Sequence, residues 1–326
     1  MATRASDLKN ISCRWGIIGG GNVCEHKGGP PLYQVADCEL IGVTRRNRAA
    51  GEDFARRHGP CRYFESVEAL LAEPTIECIY VASPVSVHAR HVASAADAGK
   101  QVLCEKPMAK DSEECAKMVA ECRKNRVTLA VAYYRRGYPS VQRAKELLQS
   151  ETFGPLRAIW LNTQFPISHR LDLVQFFGGD IESVQLESSD SGAADLIART
   201  TSGARVQTSL EFEETVRSEQ IRLTCEQGKI FISDLKGGTL STTLGSEYSE
   251  THFDPLPATH WGLVENFREH LSSGTPLLCD GETGRKSSVV LDVVSNLERP
   301  GQALAIDYAQ PPELNPDLAA RYKLLV

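Results

Sequence analysis

The chain has 326 residues, 41% hydrophobic and 24% charged, with a formal net charge of −6. This length predicts two domains of roughly 150 residues each, and the composition is that of an ordinary soluble globular protein. The negative balance argues against nucleic acid or an anionic membrane as partner, no apolar run approaches the ~20 residues of a membrane helix, and the polar start lacks the apolar core of a signal peptide.

Trp15 to Ile18 reads as a short buried strand, followed at once by Gly19-Gly20-Gly21-Asn22-Val23-Cys24. This is the GxGxxG pattern with cysteine in third place. The glycines of such a turn bring backbone N–H groups against a pyrophosphate, and the third position needs only a small residue. Gly28-Gly29-Pro30-Pro31 must end or kink any helix soon after it begins. Leu40 to Val43 is a second strand and ends in Thr44-Arg45-Arg46. A NAD-binding unit carries Asp or Glu there for the ribose 2′-hydroxyl, whereas guanidinium groups grip a 2′-phosphate. NADP(H) is therefore the expected cofactor, with NAD(H) as the lesser alternative.

Arg48 to His58 and Val67 to Ala72 have helical composition. Cys78 to Ala82 is a third strand, ending in Ser83-Pro84, and His88 to Gly99 a helix stopped by glycine. Gln101 to Cys104 is the fourth strand and runs into Glu105-Lys106-Pro107. Proline cannot donate to a sheet, so Lys106 is expected at the carboxyl end of that strand, where open α/β sheets bind their ligands. Ser112 to Arg126 is a helix that Ser112 can cap, and Leu129 to Tyr134 a fifth strand. Strands alternating with helices predict an α/β fold with a doubly wound, parallel sheet over residues 1–136.

Residues 137–326 change texture. Ser140 to Gln149 and His169 to Phe177 read as helices, and Leu156 to Thr163 alternates as a strand does. Val184 to Glu187, Ala194 to Thr200, Val206 to Glu213, Glu219 to Cys225 and Lys229 to Ser233 predict a large, mostly antiparallel sheet with one helix-covered face. Trp261 to Leu271 and Thr283 to Asn296 are amphipathic helices. His260 and Trp261, at a helix start, read as core or cap residues. The ten cysteines are scattered singly, with no CxxC pair. Free thiols in the cytoplasm are expected, not disulfides or a metal site.

Gly19-x-Gly21, Ser83-Pro84-x-x-x-His88, and Ala98 through Glu105-Lys106-Pro107, in this order and spacing, resemble the glucose–fructose oxidoreductase / inositol dehydrogenase (Gfo/Idh/MocA) family. The resemblance implies a Rossmann domain holding the cofactor through Gly19, Gly21, Asn22, Val23, Thr44, Arg45, Arg46, Ser83, Pro84, His88, Glu105 and Lys106. It implies hydride transfer between a nicotinamide and a hydroxyl or carbonyl carbon of a sugar, polyol or related small cyclic compound. Lys106 would hydrogen-bond the reacting oxygen and His169 would serve as acid/base. Tyr134, Arg136, Asp172 and His169 join Lys106 as candidates for contact with the substrate. The second domain implies a homodimer or homotetramer built through its sheet. One departure stands out: the family's Asp-x-x-x-His-x-x-Asp is matched by His169 and Asp172, but Phe165 replaces the first Asp and only Gln164 to Ser168 separate strand from helix. The alternative reading is a catalytically degenerate NADP(H)-binding homologue, a sensor or scaffold.

Overall fold

The structure is a computed structural model, and it describes residues 13–163, 165–188, 194–210 and 219–321. The chain divides into two units: the chain to Gly137 together with Pro257–Arg285, and Tyr138–Leu256 together with Lys286 onward. A single cut after residue 136 therefore misses the return of Pro257–Arg285 to the first unit.

The first unit runs β1 (Cys13–Ile18), α1 (Asn22–His26), α2 (Pro31–Gln34), β2 (Cys38–Thr44), α3 (Arg48–Arg57), β3 (Arg62–Phe64), α4 (Val67–Leu71), β4 (Cys78–Val81), α5 (His88–Asp97), β5 (Gln101–Cys104), α6 (Ser112–Asn125) and β6 (Leu129–Val131). Its six strands are parallel in the order β3-β2-β1-β4-β5-β6. β4 and β6 are buried along their whole length, as continuous apolar strands in a doubly covered parallel sheet must be. Val92, Ala95 and Ala96 of α5 and Cys115, Met118 and Cys122 of α6 pack on Ile79, Val81, Val102 and Cys104. The strand order reverses beside β1, which places the ligand crevice of such sheets at the ends of β1 and β4.

Two local expectations need correction, and one strand is added. Asp111, not Ser112, caps α6, its Oδ1 accepting from the Glu114 N–H at 2.8 Å. The fifth expected strand stops at Val131, and Tyr134–Gly137 form a 3₁₀ turn. The edge strand β3 carries only three residues and had no alternation long enough to read.

In the second unit, α7 (Pro139–Gln149), β7 (Leu156–Thr163) and α8 (Ile167–Gly178) precede β8 (Ile181–Ser188), β9 (Ala194–Thr200), β10 (Arg205–Ser209), β11 (Glu219–Cys225), β12 (Gly228–Ile232), β13 (Gly238–Leu244), β14 (Glu247–Phe253) and β15 (Ala303–Ala305). They form one sheet in the order β14-β13-β12-β11-β7-β10-β9-β8-β15, antiparallel throughout except between β7 and β10. Burial alternates along β7 and β11, so Ile159, Leu161, Ile221 and Leu223 face the core. On the opposite face the Arg222 guanidinium lies 4.8 Å from the Trp160 ring centre and 5.8 Å from that of Phe231. The strand expected over Val206 to Glu213 ends at Ser209, and its part beyond Leu210 lies outside the described residues.

Candidate active site

The turn after β1 is built around Gly19. Its N–H donates to the Thr44 carbonyl at 2.9 Å, tying the ends of β1 and β2 together. Its φ is +130°, and a Cβ there would stand 2.3 Å from the Ala82 carbonyl oxygen at the end of β4. Only glycine fits. Gly21 then takes the N-cap of α1, with Asn22 and Val23 in its first turn and Cys24 buried. The helix is five residues long, and the chain becomes helical again only at Pro31.

Beside this turn lies a cleft of about 560 Å³ lined by Gly19, Thr44, Arg45, Arg46, Ser83 and Pro84, with Arg90 and His91 from α5. Among the described residues neither Arg45 nor Arg46 has a carboxylate partner. Glu65, also on the wall, is held by Arg48 at 2.8 Å. The Ser83 hydroxyl and His91 Nδ1 are 2.8 Å apart. Burial lowers the pKa of His91, the neighbouring Arg90 and His88 act the same way, and Glu68 opposes them. His88 is buried behind the cleft, with Nε2 2.7 Å from the Ser83 carbonyl and Nδ1 3.1 Å from that of Pro107. It braces the loops after β4 and β5.

At the end of β5, Glu105 is buried and accepts three hydrogen bonds, from the Tyr80 hydroxyl, from His260 Nε2 at 2.8 Å and from the Lys106 N–H at 3.1 Å. Burial works against its charge, yet His260, Tyr80 and Lys106 together hold its pKa below the usual carboxylate value. Lys106 is half-buried and joined to Pro107 by a cis peptide bond. Burial pulls its pKa down, Glu105 pulls it up, and Arg135 and Lys27 add to the downward side. Tyr134 stacks on His260 with ring centres 4.5 Å apart, and Arg136 donates to the Leu278 carbonyl at 2.9 Å. Both of these expected substrate contacts thus brace the first unit.

In the second unit, His169 and Asp172 are buried on α8. Phe165 is buried too and meets the His169 ring edge-on, with centres 6.0 Å apart. Arg170, next in sequence, anchors the short connection. Its Nε donates to the Phe165 carbonyl at 2.9 Å, and its guanidinium reaches the Thr208 hydroxyl and the Ser209 carbonyl at the end of β10. Burial lowers the pKa of Arg170 to about 10.

Residues 13–133 match the family described as "Oxidoreductase family, NAD-binding Rossmann fold", GFO_IDH_MocA. This span, which holds the six-stranded parallel sheet, is similar to the NAD-binding domain of that family. It is 40% identical over 140 residues to Oxidoreductase P35 of Formosa agariphila, covering 43% of this chain and 44% of that protein. It is 30% identical over 200 residues to D-xylose 1-dehydrogenase (NADP(+)) 2 of Haloferax volcanii, covering 59% and 61%. The chain spans about half the length of the first curated relatives it matches. Its fold is that of the aldose-aldose oxidoreductase of Caulobacter crescentus, solved with glycerol, at a TM-score of 0.78 and 20% identity over 91% of this chain and 100% of that one.

Of the residues expected from this Gfo/Idh/MocA pattern, the cleft gathers Gly19, Thr44, Arg45, Arg46, Ser83 and Pro84, while Gly21, Asn22, Val23, His88, Glu105 and Lys106 lie outside its lining. His91 was missed, although it sits three residues after His88, one helical turn along the same face of α5. His260 was read as a core or cap residue. It is the N-cap residue of α9 (Trp261–Ser273), but its side chain makes no cap bond and is committed to Glu105. Among the described residues no cluster of His, Cys, Asp or Glu could hold a metal ion, and no helix is long and apolar enough to cross a membrane.

Proposed function

We propose that this chain is an NADP(H)-dependent oxidoreductase that moves hydride to or from the hydroxyl or carbonyl carbon of a sugar, polyol or related small cyclic compound, with NAD(H) accepted more weakly. The observation that carries the reading is the pair Arg45 and Arg46, lacking a carboxylate partner among the described residues, in a cleft at the switch point of a parallel sheet. The residues present fit a nicotinamide dinucleotide. Gly19 keeps the turn free of a side chain, Ser83 and Pro84 line the same cleft, and the guanidinium groups suit a 2′-phosphate. When bound, the nicotinamide supplies the hydride donor or acceptor.

Lys106 donates a hydrogen bond, and in reduction a proton, to the reacting oxygen; its half-buried setting strengthens that interaction. His169 is the acid/base on the substrate side, and Asp172, three residues on, shares its helix face. A relative named as a D-xylose 1-dehydrogenase (NADP(+)) supports both the cofactor and the substrate class. All ten cysteines are free thiols, which supports a cytoplasmic setting. The Trp160–Arg222–Phe231 face of the large sheet is the surface for a homodimer or homotetramer.

A second reading, a cofactor-binding homologue without turnover, is favoured by Phe165, which meets His169 where the family carries a carboxylate. Turnover on a panel of sugars, inositols and dihydrodiols with NADP⁺ and NADPH separates the two. An enzyme turns over at least one class, and Lys106→Met lowers that rate by about 10²–10⁴-fold. Binding of NADPH with no turnover on the panel would favour the second reading.

A further inference from the structure

Glu105, His260 and Tyr134 form a buried assembly whose parts are far apart in sequence. Glu105 directly follows β5, Tyr80 lies on the adjacent β4, and His260 precedes α9. The start of α9 reaches them by a glycine-on-glycine contact: a Cβ on Gly262 would stand 2.5 Å from the Gly137 carbonyl oxygen. That approach sets His260, two residues before Gly262, against the face of Tyr134, three before Gly137. The Arg135 guanidinium covers Tyr134, with its carbon 4.9 Å from the ring centre.

The hydrogen bonds fix the imidazole. A carboxylate only accepts, so His260 Nε2 carries a proton and donates to Glu105 Oε1 at 2.8 Å. Nδ1 lies 3.1 Å from the Thr259 hydroxyl, which can donate to it in the neutral ring. Tyr80 donates to the same carboxyl oxygen, and the Lys106 N–H donates to the other. Removing His260 would leave a buried carboxylate short of one of its three donors, and such a group protonates more readily.

We propose that His260 is a positioning residue for Lys106, holding the Glu105 carboxylate charged beside the lysine so that the amine stays protonated and able to donate. The inference rests on the reading of Lys106 as the proton donor. Among the described residues, the ionisable and charged groups facing the assembly include Tyr80 from β4, Cys24 from α1, Cys104 from β5, Lys27 after α1, and Tyr134 and Arg135 from the 3₁₀ turn. Glu105 favours the ammonium of Lys106, while burial, Arg135 and Lys27 oppose it. Loss of the Glu105 charge therefore moves the lysine toward the neutral amine.

The test reads the ionisation of Lys106 without substrate. The full chain is pulse-labelled with acetic anhydride across a pH series, and the extent of labelling at Lys106 is measured by peptide mass spectrometry. In His260→Leu the labelling curve should move to lower pH, giving about three- to tenfold more label at a fixed pH below the midpoint, a shift of about 0.5 to 1 pH unit. Glu105→Gln should move it the same way, and the double variant no further than Glu105→Gln alone. His260→Gln, whose amide keeps a donor, should return the curve toward wild type. An unmoved curve in His260→Leu or in Glu105→Gln overturns the proposal. Should His260→Leu fail to fold, His260→Gln is compared with His260→Asn, one methylene too short to reach Glu105, and equal curves in those two overturn it. Absence of turnover on every substrate would sink the functional reading and leave this result standing.

Discussion

A methyl group at residue 19 has no room. It would press on the Ala82 carbonyl from a backbone with φ of +130°, and strain of this kind costs of order 1–3 kcal/mol. Gly19→Ala is therefore expected to lower the denaturation midpoint and to weaken cofactor binding together. Gly21→Ala, where a Cβ meets nothing within 4 Å, should leave stability within about 1 kcal/mol of wild type, the usual cost of glycine replacement at an unstrained site. Urea unfolding of the two variants decides this, and equal stabilities would contradict it. Gly19 and the arginines at the end of β2 were legible in the sequence because their signal is local: a turn that excludes side chains, a charge where an acid is usual. His260 was not, because its partner Glu105 lies 155 residues away.

Short elements in the first unit are held together by charge as well as packing. Glu25 on α1 takes a bidentate pair from Arg57 on α3, both bonds 2.8 Å, and a third contact from His58 at 2.8 Å. His58 in turn stacks on Phe54 at 4.1 Å. The Arg57 hydrogen bonds lower the Glu25 pKa from 4.5 to about 2, with burial opposing and His58 assisting. A carboxyl whose folded pKa lies below its unfolded one adds stability that is present above pH 4.5 and lost as the pH falls toward 2. In Glu25→Gln the fall of unfolding free energy across that window should be shallower than in wild type; identical slopes would contradict the assignment. Among the elements, the apolar strands of the first sheet were legible because continuous burial leaves a continuous apolar run. β13 and β14 were not, since Thr-Leu-Ser-Thr-Thr-Leu and the largely exposed Glu247–Phe253 show no apolar alternation. The cap of α6 could not be chosen from sequence either, as Asp111 and Ser112 are adjacent and both chemically able.

At the scale of the whole chain, the α/β class and the pair of sheets followed from the change of texture near Pro139, where alternating strand and helix signals give way to closely spaced strands. The return of Pro257–Arg285 to the first unit carried no local signal, because membership in a unit is settled by long-range packing. The surroundings of His169 were least legible: Phe165 stands where the resembled motif has Asp, and the short connection before α8 is tied down by Arg170, whose partners on β10 are 38 and 39 residues on. On the proposed function, Arg45 and Arg46 make this a site for the phosphorylated cofactor. Titration of the full chain with NADPH and with NADH, followed by nicotinamide fluorescence, tests it most directly. NADPH should bind at least about tenfold more tightly, and Arg45→Ala/Arg46→Ala should erase that advantage, because hydrogen bonds to a charged group contribute about 1.5–3 kcal/mol each. Tighter binding of NADH, or a preference unchanged in the double variant, would contradict it.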